Sequence, residues 1–194
     1  MTAWLDTATA ALDAANADDP RRVEVDGETW PVELLYAHRM RAWLDRLYPE
    51  ASPALRLAAS AQHVRRWELP RSDYPEGRDG YLRWRTHLKR HHARVAARVL
   101  ADAGCDAPTI RRVQALVRKQ GIKSDRETQA LEDVTGVVFL QHYAADFVEK
   151  HDDEKVVRIL VKTWGKMSEV GRQASLDLDL PPRVRALVAR ATAT

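Results

Sequence analysis

The stretch AQHVRRWELPRSDYP, residues 61–75, gathers His63, Arg65, Arg66, Trp67, Glu68 and Arg71 at the end of an apolar segment and in a proline-bounded turn. Imidazole and carboxylate groups ligate metals and move protons, whereas guanidiniums hold anions. Folding alone gives little reason to crowd these groups together. The segment is therefore the first candidate site, for a metal ion or for an anionic ligand.

Other groups of the same kinds recur along the chain. In ALEDVTGVVFLQHYAADF, residues 130–147, Glu132 and Asp133 lie within a segment that is apolar on nearly all sides. A buried carboxylate is costly unless it is paired, hydrogen-bonded or on a metal. Asp133 is the better ligand candidate of the two, and an Arg partner is the competing explanation. The run RWRTHLKRHHARVAAR, residues 83–98, is basic and carries His87, His91 and His92. His87 and His91 are four apart and share a helix face, with His92 about 100° further round. Lys162 and Lys166 flank Trp164 at the same spacing, and Arg66 and Arg85 offer further cations. Fixed cations of this kind suit phosphate or sulfate.

These groups need elements to position them, and the pattern predicts an all-α chain of about eight helices. A short helix spans 3–16, and Asp26-Gly27 marks a small hairpin within 22–30. Helices are expected at about 32–48 and, from a Ser52-Pro53 start, at 53–67. Residues 69–80 form the main loop. A long helix follows over about 80–103 and another from Asp106 to Gln120. Ser124 and Glu127 match a capping box for a helix reaching about Lys150. Helices at 153–175 and 182–192 complete the chain. The 194 residues show no repeat and no dividing linker, so a single domain, 1–194, is expected.

Composition narrows the function classes. The formal charge is +3, from 31 basic and 28 acidic residues, which is too balanced to indicate nucleic acid. An RNA-binding role for the 83–98 face is disfavoured, because Trp84 is its one aromatic residue. No stretch approaches the roughly 20 apolar residues of a membrane span. The N-terminal segment lacks Lys or Arg before Arg21 and does not read as a secretory signal. The lone Cys105 forms no internal disulfide, and a cytoplasmic location is expected. No phosphate-binding glycine loop, GxSxG, HExxH or CxxC motif is present.

The strings AQHVRRWELPRSDYP, GYLRWRTHLKRHHA, QALEDVTGVVFLQHY and EKVVRILVKTWGKMS resemble a bacterial and fungal family known as domain of unknown function 4202. The resemblance covers most of the chain. It singles out His63, Arg66, Trp67, Glu68, Trp84, Arg85, His92, Glu132, Asp133, Lys162, Trp164 and Lys166. More distantly, the order His38, His63, His91/His92, Asp133 is similar to the HD phosphohydrolase superfamily. There, histidines and aspartates hold divalent metal on an all-helical bundle and activate water against phosphate esters. Val64 stands where that superfamily places its signature aspartate.

The HD-like resemblance implies a metal-dependent hydrolase of a phosphorylated small molecule or nucleotide. His63, His92 and Asp133 would ligate Mg, Mn, Fe or Zn, with Glu68 and Glu132 as further ligand or general base. Arg66, Trp67, Trp84, Arg85, Lys162, Trp164 and Lys166 would bind the ligand. The alternative is a binding module for an anionic small molecule that has lost its metal, as Val64 suggests.

Overall fold

The structure is a computed structural model that describes residues 3–193. Among these residues it contains ten α-helices and one two-stranded sheet, so the fold is all-α. Contacts divide the chain into two compact units, residues 1–42 with 50–120, and residues 43–49 with 121–194.

The first unit begins with α1 (Ala3–Ala17) and the strands β1 (Arg22–Val25) and β2 (Glu28–Pro31). The strands pair antiparallel, with Val25 opposite Glu28. Asp26 and Gly27 both take positive φ (52° and 81°), the conformation that a right-twisted two-residue hairpin requires. Helix α2 (Val32–Leu47) follows, and its residues up to Ala42 belong to this unit. Ser52 caps α3 (Pro53–Ala61) by accepting from the Leu55 amide, and Pro53 supplies the preset first turn.

Helix α3 is shorter than its apolar run suggests. The chain turns at residues 62–65, with Arg65 in the left-handed region (φ 51°), and enters short 3-10 turns at Arg66–Glu68 and Arg71–Asp73. Helix α4 (Gly77–Asp102) starts inside the expected loop. A Cβ on Gly80 would stand 1.8 Å from the Pro75 carbonyl oxygen, so only glycine permits that approach. Asp106 caps α5 (Ala107–Val117). Leu12, Met40, Leu57, Leu100, Val113 and Leu116 are fully buried and form the core of this unit.

In the second unit, Asp125 rather than Ser124 caps α6 (Arg126–His142), accepting from the amides of Glu127 and Thr128. The Ser124 hydroxyl instead donates to the Gly121 carbonyl. The segment expected as one helix to Lys150 breaks at Tyr143, and α7 (Ala144–Glu149) follows. The segment 153–175 also breaks, at Gly165–Ser168, into α8 (Asp153–Trp164) and α9 (Glu169–Leu176). Helix α10 (Pro182–Thr192) packs on α8 through Val156, Leu160, Val184 and Leu187. No helix among the described residues is long and apolar enough to cross a membrane.

Candidate functional site

In the first unit, His63, Arg66, Trp84 and His92 come together around a residue that the sequence reading did not single out, Glu33. This carboxylate is 3 % exposed. Its place follows from helix spacing, because Glu33, Tyr36, Ala37, Met40 and Leu44 line one buried stripe of α2. Glu33 Oε1 accepts from Arg21 Nη2 at 2.7 Å, and Glu33 Oε2 lies 3.3 Å from His63 Nδ1. Arg21 also makes a two-pronged pair with Asp19, whose Oδ2 accepts from the Glu33 amide. A carboxylate on an apolar stripe was the available sign of Glu33. Nothing in the sequence linked it to His63, because their contact is tertiary.

The hydrogen bonds fix the protonation of three histidines. Arg66 Nη1 lies 3.4 Å from His63 Nε2. A guanidinium only donates, so His63 Nε2 accepts and His63 Nδ1–H donates to Glu33. His92 Nδ1 lies 2.8 Å from the Val64 carbonyl oxygen and donates to it, which leaves His92 Nε2 as a lone pair. That atom is buried without a hydrogen-bond partner among the described residues. His91 Nδ1 accepts from Arg94 at 3.3 Å, so His91 Nε2–H donates to the Arg65 carbonyl at 3.0 Å. Two histidines of α4 thus hold the carbonyls of Val64 and Arg65, where the backbone turns through its left-handed residue.

The electrostatics favour neutral rings. Burial, with Arg66 adding to it against Glu33, lowers the His63 pKa to about 4. Burial and neighbouring His63 bring His92 to about 3, and burial also lowers His91. All three are neutral at pH 7. Burial raises the Glu33 carboxyl, but the bonds from His63 and Arg21 outweigh it and hold the group below its ordinary range. His63 also stacks on Tyr36, at 3.9 Å between ring centroids.

Arg66 is the permanent cation of this cluster. Its guanidinium lies over the Trp84 ring at 4.9 Å, and the Trp84 indole N–H donates to the Leu69 carbonyl, pinning the turn. Among the described residues its one carboxylate within 4.0 Å is Glu33, already engaged by Arg21 and His63. Burial, with Arg85 and Arg21 nearby, lowers the Arg66 pKa despite Glu33. Its charge is therefore incompletely compensated. Arg85 lies at the edge, over Tyr81 at 6.0 Å.

The remaining candidates have different surroundings. Glu68 is exposed and pairs with Arg65 and His91 at 3.4 and 3.5 Å. Trp67 is half-buried in the 3-10 turn. His38 faces Asp13 at 3.7 Å and Trp30. Asp133 belongs to the second unit and is fully buried. Its carboxylate accepts from Tyr48, Gln129, the Ser168 amide and the Ser168 hydroxyl. Glu132 lies 3.8 Å from Lys166, Lys162 is exposed, and Arg172 covers Trp164 at 5.7 Å.

A family model matches residues 6–188, and its description is a domain of unknown function (DUF4202). The chain belongs to this family. No curated protein matches it, and no solved structure does. The family description carries no activity, so function has to be argued from the site.

The donor set gives a divided answer on a divalent metal. His92 Nε2, an unpartnered lone pair beside His63, suits one. The other expected ligands do not fit in this arrangement. Arg66 caps His63 Nε2, and four donors fill the Asp133 carboxylate. Among the described residues, no group of three His, Cys, Asp or Glu side chains is placed to hold an ion.

Proposed function

We propose that the first unit binds a small anionic molecule, a phosphorylated metabolite or nucleotide, at Arg66, with Arg85 as a second cation and Trp84 and Tyr36 as flat walls. One observation carries this reading. Arg66 is a half-buried guanidinium, 28 % exposed, and among the described residues its only carboxylate within 4.0 Å is already engaged by two other donors. An undercompensated charge that is partly withdrawn from water is costly, and a phosphate oxyanion would relieve it while matching the guanidinium fork.

Thermal-shift and calorimetric screening against inorganic phosphate, nucleotides and sugar phosphates tests the proposal. Stabilisation that grows with ligand concentration and is lost in Arg66→Gln supports it. No stabilisation by any phosphorylated compound would overturn it.

A second reading is a metal-dependent phosphohydrolase with His63 and His92 as ligands. The lone pair at His92 Nε2 favours it, and Arg66 would have to leave His63 Nε2. A bound divalent ion would polarise the phosphoryl group and lower the pKa of its water. Elemental analysis and a phosphatase panel with added Mg, Mn, Fe or Zn decide between the two. The second unit enters neither reading, so Glu132, Asp133, Lys162, Trp164 and Lys166 are not required.

A further inference from the structure

We infer that Arg66 takes the place on His63 that a metal ion would take, and that Glu33 is the positioning residue that holds it there, so that the site binds an oxyanion without a divalent ion. This rests on the anion-binding reading above and sharpens it by naming what supplies the positive charge.

A metal-ligating histidine donates one ring N–H to a carboxylate or carbonyl and offers the other nitrogen's lone pair to the ion. His63 has the first half of that arrangement, because its Nδ1–H donates to Glu33 Oε2. The lone pair on Nε2 does not face open space. It faces Arg66 Nη1 at 3.4 Å. A guanidinium and a divalent cation repel each other, and only one can use that lone pair.

Arg66 is also fixed from a second direction, by the Trp84 ring. Trp84 in turn is fixed by the Leu69 carbonyl. The cation is thus held between an imidazole and an indole. Glu33 acts at one remove. It selects the His63 tautomer, and the tautomer decides whether Nε2 attracts Arg66 or repels it. With the proton on Nε2, two donors would face each other, and Arg66 would lose its place.

Two measurements test the inference. The first is the His63 tautomer in the free protein, by long-range proton–nitrogen correlation NMR. Wild type should carry the proton on Nδ1, as should Glu33→Gln, whose amide oxygen can still accept. Glu33→Leu should lose that preference while its amide spectrum remains folded. A proton on Nε2 in wild type would overturn the relay, whatever the ligand. Should Glu33→Leu not fold, wild type and Glu33→Gln still decide the point.

The second is titration with inorganic phosphate in EDTA and in added Mg, Mn or Zn. Affinity should be unchanged by EDTA and fall at least about tenfold in Arg66→Gln, as for loss of a hydrogen bond to a charged group. Phosphate binding that requires the added metal would overturn the inference and leave the anion reading standing. No phosphate binding under either condition would count against the anion reading itself, and the tautomer result would then judge the relay alone.

Discussion

The Tyr48 hydroxyl donates to Asp133 Oδ2 at 2.6 Å and ties the residue just after α2 to the middle of α6 within the second unit. Burial, and then the bond to Asp133, raise the Tyr48 pKa well above its ordinary value, so the phenol stays a donor. The Ser168 amide and hydroxyl donate to the same carboxylate, which therefore also holds the start of α9. Asp133 joins three helices by satisfying donors that would otherwise be buried alone. Tyr48→Phe should cost about 1.5–3 kcal/mol, the range for a hydrogen bond to a charged group. Asp133→Ala should cost more, because several donors lose their acceptor at once. Urea denaturation of the purified variants measures both. A neutral Asp133→Ala would show that these bonds contribute nothing net.

Gly171 approaches this carboxylate closely. A Cβ there would stand 2.7 Å from Asp133 Oδ1 and 2.8 Å from Asp133 Cβ. Gly171→Ala forces α9 or Asp133 to move, against the gain that alanine normally brings to a helix interior. The expected result is a net loss of about 1–3 kcal/mol, the usual range for overpacking. An unchanged or raised melting temperature would mean that α9 shifts without cost.

The neutral histidines predict a specific acid sensitivity. His63 and His92 have folded pKa values of about 4 and about 3, below the ordinary 6.5. The unfolded chain therefore takes up protons first as pH falls. Stability is full above about pH 6.5 and declines below it, by up to about 1.4 kcal/mol per pH unit for each histidine. Glu33 adds a second loss. Its carboxyl is held below 4.5, so its contribution is present above that pH and is lost as pH falls through the folded value. Denaturant titrations from pH 7 to 4 should show a decline that starts near pH 6.5 and steepens below 4.5. His92→Phe should reduce the upper part of the decline. A flat profile between pH 7 and 5 would contradict the neutral assignment of these rings.

Glu33 should be the most sensitive polar position of the first unit. Glu33→Ala removes the acceptor of Arg21 and of His63 together and leaves Arg66 with no carboxylate within 4.0 Å. Breaking such a buried network costs about 3–5 kcal/mol. Glu33→Gln, which keeps an acceptor for His63, should cost less. Equal losses in the two variants, measured by urea unfolding, would show that the charge of Glu33 matters more than its bond to His63.

Much of the helical framework was legible from punctuation and spacing. Ser52-Pro53 and Asp106 gave correct helix starts, and Asp26-Gly27 gave the hairpin, because caps and tight turns depend on a few neighbouring residues. Other boundaries were not legible, among them the early end of α3 at Ala61 and the start of α4 at Gly77. Ser124 and Asp125 both suit an N-cap, and the side-chain geometry selected Asp125. The breaks at Tyr143 and at Gly165–Ser168 interrupt stretches whose periodicity runs on, because packing decides where those helices stop.

The residues of the site divide in the same way. Sequence alone marked His63, Arg66, Trp84 and His92, since imidazoles, guanidiniums and indoles concentrated on an apolar background are visible as residue types. Glu33 was not among them, and its place on a buried stripe of α2 became visible only in the structure. Only the tertiary structure decided which groups meet. It set Glu33 against His63 across 30 positions of chain, turned the His63 lone pair towards Arg66, and gave Asp133 to Tyr48 and Ser168. Helix periodicity assigns a side chain to a face of its own helix. The partner on the opposing element, and so the protonation and charge balance of the pair, depends on how the helices pack.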